Sequence, residues 1–335
     1  MGVIRIAVDA MGGDFAPAEI VAGAIQGARE LNLDLILVGE PAAIHQELSK
    51  FDVGDLNFTV IPAKDRIDMV DDPVQAVKSR PQASINVACH LVKEGQADGV
   101  LTMGHTGAGM VSALFSFGRI PGVERPAVIV PFLGLRDDLF LVDVGANTEV
   151  RPLHLLQFAL MASAYVEHAA GINKPTVGLI SNGSEPNKGN KVGREAYGLL
   201  AADDRINFIG NIEGHTMLSS RVNVMVSDGF VGNVLFKGAE GIVEWLLKQV
   251  EEVIKELTPE AVAIVRAHLE LLRNRNHYAN YGAATLLGVN RPIFIGHGRS
   301  KAHAVLSGMA TAKKMIASHV VSKIQQVFLS QEVKQ

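Results

Sequence analysis

The chain has 335 residues, and its 31 Lys and Arg against 35 Asp and Glu give a formal charge of -4. This balance does not favour nucleic-acid binding, and a single cysteine excludes a disulfide framework and is typical of the cytoplasm. Hydrophobic residues make up 48% of the chain, but no apolar run reaches the ~18–20 residues that a membrane span needs.

Short apolar runs alternate with helical patterns in chain order. The apolar runs predict strands at residues 4–8, 33–38, 58–61, 99–102, 127–132, 139–142, 176–180, 206–209, 223–226 and 292–295. Helical spacing predicts helices at residues 17–31, 41–49, 73–79, 84–93, 106–117, 152–168 and 301–329. The strand runs are continuously apolar, as expected for strands buried on both faces. We therefore predict an α/β protein with a mostly parallel sheet covered by helices.

No Pro/Ser-rich linker, low-complexity tract or internal repeat divides the chain, so residues 1–335 are predicted to form a single α/β domain. Residues 238–276 form a long helical stretch almost free of strand signal. Within it, Thr258 and Pro259 resemble a helix N-cap followed by proline in the first turn. We therefore expect a helical hairpin with its junction at these residues.

Five of the predicted strands are followed by polar loops that contain glycine. These loops are residues 9–14, 103–108, 143–147, 181–190 and 227–233. In an open parallel sheet, ligands bind at the carboxyl ends of the strands, so the five loops are expected to meet at one edge. Glycine lets backbone N–H groups approach an anion, and a helix N-terminus adds a favourable dipole. The alternative is that each glycine only permits a tight turn; five such loops together favour an anion site, most simply a phosphate site.

Motifs for other chemistries are absent from the sequence. There is no GxxxxGK[ST] or GxGxxG motif, so no nucleotide cofactor is implied. HExxH and CxxC are also missing, so no metal is predicted. The Asp9 and Asp14 pair could hold a cation, but carboxylates beside glycines more often cap the following helix.

Three single residues carry weaker signals. Lys188 lies in a polar loop between a buried strand and a helix, where an ammonium group can meet a phosphate or a carbonyl oxygen, although most lysines are simply solvated. His297 can donate to an anion or cap the last helix. Cys89 has apolar neighbours at helical spacing, which favours a packed core cysteine over a nucleophile.

Six strings, in order along nearly the whole chain, resemble the bacterial phosphate acyltransferases of the PlsX type. They are residues 9–14 (DAMGGD), 125–127 (RPA), 143–147 (DVGAN), 188–190 (KGN), 227–234 (SDGFVGNV) and 281–289 (YGAATLLGV). The sequence departs from the family pattern at His105, where the family usually has Asn, and at Arg299, where it usually has Ser.

The resemblance implies a three-layer α/β/α sandwich similar to isopropylmalate dehydrogenases and phosphotransacetylases. It implies transfer of a fatty acyl group from acyl carrier protein to inorganic phosphate, which gives acyl phosphate for phospholipid synthesis. It also implies a homodimer without a cofactor, peripheral association with the membrane, and a downstream glycerol-3-phosphate acyltransferase that uses the product.

This reaction needs a phosphate cradle and a donor for the developing oxyanion, but no catalytic serine or cysteine, because a phosphate dianion is already a nucleophile. We expect Lys188 to be catalytic, assisted by Asn182 and Asn190. The expected phosphate- or substrate-binding residues are Asp9, Gly12, Gly13, Asp14, His105, Thr106, Gly107, Asn147, Asp228, Gly232, Asn233 and His297.

Two other functions remain open at this point: an oxidoreductase similar to isopropylmalate dehydrogenase, and a non-catalytic scaffold that binds acyl carrier protein or membrane. The first lacks a dinucleotide motif and a metal-carboxylate cluster, and the second does not need a convergent anion site.

Within the hairpin, residues 257–266 combine an apolar stretch with a helix junction. We expect this tip to touch the membrane and the flanking helices to contribute to the dimer.

Overall fold

The computed structural model describes residues 2–132, 136–276 and 278–332. Across these ranges a single mixed sheet of eleven strands runs through the molecule. The strands are β1 Arg5–Asp9, β2 Asp34–Gly39, β3 Phe58–Pro62, β4 Gly99–Thr102, β5 Ala127–Pro131, β6 Phe140–Val142, β7 Thr176–Ser181, β8 Asn207–Glu213, β9 Val224–Val226, β10 Ala283–Leu287 and β11 Ile293–Gly296. Their order across the sheet is β3-β2-β1-β4-β11-β10-β5-β6-β9-β7-β8.

The sheet reverses direction at its centre. Strands β3, β2, β1, β4 and β11 are parallel to one another, and β6, β9, β7 and β8 are parallel to one another. Between them, β10 is antiparallel to β11 and β5, and β5 is antiparallel to β6. The two halves therefore run in opposite directions, and the prediction that all five glycine loops share one edge was wrong.

Eleven helices are found in the described ranges. They are α1 Ala18–Leu31, α2 Pro41–Leu48, α3 Pro73–Ser79, α4 Ser84–Lys93, α5 Thr106–Phe117, α6 Pro152–Tyr165, α7 Lys191–Ala202, α8 Gly229–Val253, α9 Pro259–Asn276, α10 Ala302–Ala317 and α11 Val320–Glu332. A π-helical turn, Val166–Ala170, continues α6, and 3-10 turns lie at Ile254–Glu256 and Tyr278–Asn280. No helix in these ranges is both long enough and apolar enough to cross a bilayer.

The helices cover both faces of the sheet, which confirms the three-layer α/β/α fold. Alternate residues of a strand point to opposite faces, so Ile6 and Val8 pack into a core with α1, α10, α6, α7 and α11, whereas Ala7 packs on the other side. On that second side, α4 and α5 cover one half of the sheet and α8 covers the other. The central strands β5 and β10 lie between α5 and α8, where the sheet is open to a cleft.

The structure differs from the prediction in several elements, and one of them, helix α7, was not predicted. Helix α8 begins at Gly229, earlier than the predicted residue 238, while the junction at Thr258 and Pro259 is confirmed. The C-terminal segment forms two helices because His319 has a φ of 53°, which an α-helix does not accommodate. Strand β10 was not predicted, since its sequence, Ala283–Leu287, contains only one β-branched residue.

Candidate active site

The carboxylate of Asp9 holds together the loops that follow β1 and β4. Its side chain is buried and accepts hydrogen bonds from Thr102 Oγ1 at 2.7 Å and from the Met11 N–H at 3.3 Å. Burial raises the pKa of Asp9, and these hydrogen bonds oppose that shift. Asp9 therefore holds the two loops together, and its expected contact with substrate stays a prediction.

Gly12 has no room for a side chain. A Cβ atom there would lie 2.6 Å from Asp9 Oδ2 and 2.9 Å from the Gly104 backbone nitrogen. Its neighbour Gly13 has a φ of 109°, which favours glycine. Close packing between the β1 and β4 loops accounts for the double glycine of the DAMGGD string. Asp14, the next residue, is exposed beside Gly298.

Helix α5 begins at the edge of the cleft and leaves donors free for a ligand. His105 is its N-cap, and Nδ1 of the ring accepts from the Ala108 N–H at 3.3 Å. The histidine side chain therefore caps the helix, a role for which Asn is also suited. The N–H groups of Thr106 and Gly107 precede the first intrahelical hydrogen bond, so they are open to an anion. Thr106 is exposed and lines the cleft.

Asp143, after β6, organises the opposite edge of the sheet. Its buried carboxylate accepts from the N–H groups of Val128 at 2.9 Å, Ala146 at 3.1 Å and Asn147 at 2.7 Å. The Asn147 side chain adds a fourth bond at 2.9 Å and also donates to Pro126 O at 2.7 Å. Burial raises the pKa of Asp143, against the effect of these donors. Asn147, expected in the substrate site, is buried and its side-chain amide is used within the loop.

Helix α8 starts with a cap and a very close backbone contact. Asp228 is the N-cap and accepts from the Val231 N–H at 2.8 Å. A Cβ atom on Gly232 would lie 2.0 Å from Asp143 O, so α8 touches the DVGAN loop with its backbone. Asn233 donates to Val144 O at 3.3 Å and reaches the cleft. The glycine at 232 is therefore required by packing between protein segments.

Lys188 lies away from the cleft, in the loop between β7 and α7. Its side chain is exposed, with Cγ packed beside Gly183. Asn182 Oδ1 accepts from the Gly189 N–H at 2.8 Å, and Asn190 caps α7 by accepting from the Gly193 N–H at 2.7 Å. Asn182, Asn190 and Asp228 share a second cavity of about 620 Å³. The structure thus groups the predicted catalytic asparagines, but apart from Thr106 and His297.

The central cleft joins three residues that come from separate motifs: Thr106, Asn233 and His297. It has a volume of about 320 Å³ and lies between α5 and α8. Side chains of β5, β10 and β11 form its floor, and residues of α8 form the opposite wall. The reversed sheet therefore still brings parts of the predicted site together, because the cleft spans the central strands.

Two charged residues of the cleft, Lys237 and Glu240, were not predicted from the sequence. Both follow Asn233 on one face of α8, at i+4 and i+7, and both line the cavity. The pKa of His297 is lowered, first by burial and then by the positive charges of Arg299 and Lys237. The pKa of Glu240 is raised, chiefly by burial. Helical spacing from Asn233 was the one signal in the sequence that pointed to Lys237.

Within the ranges that the structure covers, no group of three or more His, Cys, Asp or Glu side chains is arranged to hold a metal ion. Asp9 is buried and engaged by Thr102, while Asp14 is exposed. Cys89 is buried and free, which confirms the predicted core cysteine, and burial raises the pKa of its thiol.

Solved structures share this fold at low sequence identity. The phosphotransacetylase of Streptococcus pyogenes superposes with a TM-score of 0.63 at 16% identity, over 96% of this chain and 94% of that one. The 4-hydroxythreonine-4-phosphate dehydrogenase of Klebsiella pneumoniae gives 0.54 at 12% identity, over 94% and 98%. At such identities the similarity is one of fold, and it confirms a phosphotransacetylase-like architecture.

Sequence relatives define the family. The family model described as "Fatty acid synthesis protein" matches residues 4–323. The phosphate acyltransferase of Nostoc punctiforme is 41% identical over 335 residues, which cover 97% of both chains. That of Gloeobacter violaceus is 41% identical over 96% of both chains. The chain therefore belongs to the fatty acid synthesis protein family and is an acyltransferase.

Proposed function

We propose that the protein transfers a fatty acyl group from the thioester of acyl carrier protein to inorganic phosphate. The product, an acyl phosphate, would supply phospholipid synthesis through a glycerol-3-phosphate acyltransferase. The names of the sequence relatives support phosphate as the acceptor. The single observation that carries the proposal is the central cleft, where an apolar floor faces Thr106, Lys237 and His297.

The chemistry requires phosphate to reach the thioester carbonyl. A phosphate oxygen of the dianion attacks the carbonyl carbon, and the C–S bond then breaks. The proton carried by the hydrogen phosphate ends on the departing thiol, so charge and atoms balance. The N–H groups of Thr106 and Gly107, at the start of α5, suit the phosphate or the oxyanion, and Lys237 adds a positive charge across the cleft from Thr106. Burial and the neighbouring cations lower the pKa of His297. The ring therefore stays neutral to a lower pH than usual, and it can donate a hydrogen bond to the substrate without carrying a positive charge.

The test is a thiol-release assay with acyl carrier protein thioester, with and without phosphate. We expect thiol only with phosphate, and an equal amount of acyl phosphate trapped as hydroxamate by hydroxylamine. Thiol release that does not depend on phosphate would assign the chain a thioesterase activity and overturn the proposal.

The predicted role of Lys188 stays a prediction. Its exposed position outside the cleft allows direct contact with phosphate only if the loop that follows β7 moves or a second copy of the chain meets it. Comparison of Lys188→Ala with Lys237→Ala in the same assay separates the two lysines.

We also propose that the hairpin tip, residues 257–266, touches the membrane reversibly. Leu257 is 49% exposed and Ile264 62% exposed at the junction of α8 and α9, while Val262 and Val265 are half-buried. Exposed apolar side chains beside a basic residue, Arg266, fit the interface of an anionic bilayer.

Co-sedimentation with phosphatidylglycerol vesicles tests the membrane contact. A Leu257→Glu, Ile264→Glu variant is expected to stay in the supernatant, since two charges enter the apolar contact. The matched control is Val3→Glu, Leu199→Glu, which changes two exposed apolar residues outside the hairpin and should sediment like the wild type. Equal sedimentation of all three proteins would contradict the membrane contact.

We propose that the flanking helices also form a homodimer contact. Trp245 and Ile242 are 58% and 60% exposed on α8, and Leu271 is 67% exposed on α9, an apolar face of the kind that interfaces cover. A Trp245→Glu variant should be monomeric by light scattering, and an unchanged dimer would refute this contact.

Arg266, Arg273 and Arg275 are candidates by composition for docking of the acidic acyl carrier protein. Arg266 is exposed, whereas Arg273 is paired with Glu251 and Glu270. The side chain of Arg275 lies outside the described residues.

A further inference from the structure

The floor of the central cleft is apolar and continuous across three adjacent strands. Residues two apart on a strand share a face, and the floor contains such pairs on two strands. The floor side chains are Val128 and Val130 of β5, Ala284 and Leu286 of β10, and Ile295 of β11. None of these side chains carries a charge or a hydrogen-bonding group, so the floor cannot recognise a polar metabolite.

The opposite wall is one face of α8, and it is mostly polar. Asn233, Phe236, Lys237 and Glu240 line the cavity at the i, i+3, i+4 and i+7 spacing of a single helical face. Phe236 is the apolar member, and its ring packs edge-on against Phe132 at 6.1 Å between centroids. A cleft with an apolar floor and a charged wall fits an amphiphile better than a ligand that is polar throughout.

The rim of the cleft at His297 and the far end of its floor are separated along β10. Ala283 pairs with Gly296, next to His297 at the rim, while Leu286 pairs with Val128 at the far end. Three residues of an antiparallel strand span about 10 Å. The cavity volume is about 320 Å³. A methylene group is about as large as a water molecule in the liquid, which occupies ~30 Å³. The cavity therefore has room for about ten methylene groups.

We propose that the acyl chain of the substrate lies on this floor, with its carbonyl end at Thr106 and His297 and its methyl end toward Leu286 and Val128, and that Ala284 and Phe236 limit the volume that is left for the chain. The inference rests on the proposed function, because it assigns the acyl part of that substrate to a place. It predicts that affinity rises with each methylene up to about ten carbons and then levels off, since longer chains extend beyond the cavity.

The inference can be tested by binding alone, apart from the reaction. Saturated fatty acids of increasing length are titrated into the protein by calorimetry, below their micelle concentrations. Each added methylene should improve affinity by about fourfold until the cavity is full. Ala284 lies one residue from the rim, and the three carbon atoms that Ala284→Leu adds take up volume in the cavity, so the plateau should begin about three carbons earlier. Phe236→Ala enlarges the cavity, so its plateau should begin later.

The matched control is Phe230→Ala, the same substitution on the same helix but at a ring that is 62% exposed and does not line the cleft. Its plateau should coincide with that of the wild type. If Ala284→Leu does not fold, Phe236→Ala and Phe230→Ala still decide the question.

The two proposals fail in different ways. Chain-length dependence that is identical in wild type, Ala284→Leu and Phe236→Ala, or no binding of fatty acids at all, overturns the acyl floor. Absence of phosphate-dependent thiol release, with the plateaus still shifted by the variants, overturns the proposed reaction and supports the floor as a fatty acid site.

Discussion

Replacement of Gly232 by Ala tests how the position of α8 controls the cleft. A Cβ atom at this position would lie 2.0 Å from Asp143 O, while real Cβ atoms essentially never come closer than 3.0 Å to a neighbouring atom. The oxygen belongs to the backbone of a loop that the Asp143 carboxylate holds with four hydrogen bonds. The loop therefore resists movement, and we expect the start of α8 to move instead.

The size of the movement follows from these distances. The difference between 3.0 Å and 2.0 Å requires a displacement of about 1 Å. Asn233 and Lys237 are carried on the same helix, so both move relative to Thr106 across the cleft. Misplacement of about 1 Å is associated with a loss of about 100-fold in rate, and overpacking costs about 1–3 kcal/mol of stability.

The assay combines kcat/KM for phosphate-dependent thiol release with urea unfolding. The control is Gly241→Ala on the same helix, where a Cβ atom meets nothing within 4 Å. That variant should keep its activity and gain about 0.5–1 kcal/mol, because alanine is the better helix former. Gly232→Ala with the activity and stability of the wild type would show that α8 is not held by this contact, or that its position does not matter to the reaction.

The remaining predictions concern charged groups. Lys237→Ala should lower kcat/KM by at least tenfold, because it removes a positive charge from the cleft, whereas Lys188→Ala should have a smaller effect; the reverse order would support the predicted catalytic role of Lys188. Asp143→Asn replaces an acceptor oxygen by a donor opposite the two Asn147 N–H groups, and unfolding in urea should show a loss of about 2–6 kcal/mol, at about 1–3 kcal/mol for each buried donor left unpaired. Because the pKa of Glu240 is raised in the folded state, the folded protein binds this proton more tightly than the unfolded chain does. Protonation of Glu240 therefore stabilises the fold at low pH, and this stabilisation is lost as the pH rises through the folded-state pKa. Glu240→Gln should therefore be more stable than the wild type at pH 7, with a difference that shrinks toward pH 4; a difference independent of pH would contradict the shift.

Local patterns in the sequence were sufficient for most elements but not for their arrangement. The bounds of α3 and α4 were predicted correctly, because Asp72 and Pro73 mark the start of α3 and apolar residues recur at helical spacing through α4. The direction of a strand is not encoded in its own residues, so the reversal across β10 and β5 could not be seen. The five glycine loops consequently lie at two edges of the sheet.

The site was predictable in part for the same reason. Thr106, Asn233 and His297 follow recognisable motifs, and the structure brings them to one cleft. Lys237 and Glu240 lie inside a helix whose orientation is fixed by contacts with the sheet, so their helical spacing from Asn233 was not sufficient to predict them as site residues. Gly12 and Gly232 were predicted to bind phosphate, and the structure also shows a packing reason for each: Gly12 lies against the loop that follows β4, and Gly232 of α8 lies against Asp143 O. Their contact with phosphate stays a prediction.

In the proposed reaction, phosphate attacks the thioester directly and no acyl-enzyme intermediate forms. A single-turnover experiment with a stoichiometric amount of enzyme and acyl carrier protein thioester tests it most directly. Without phosphate, we predict no rapid release of thiol; on addition of phosphate, we predict one acyl phosphate for each thiol released. A burst of one thiol per chain before phosphate is added would demonstrate a covalent acyl-enzyme and contradict the account.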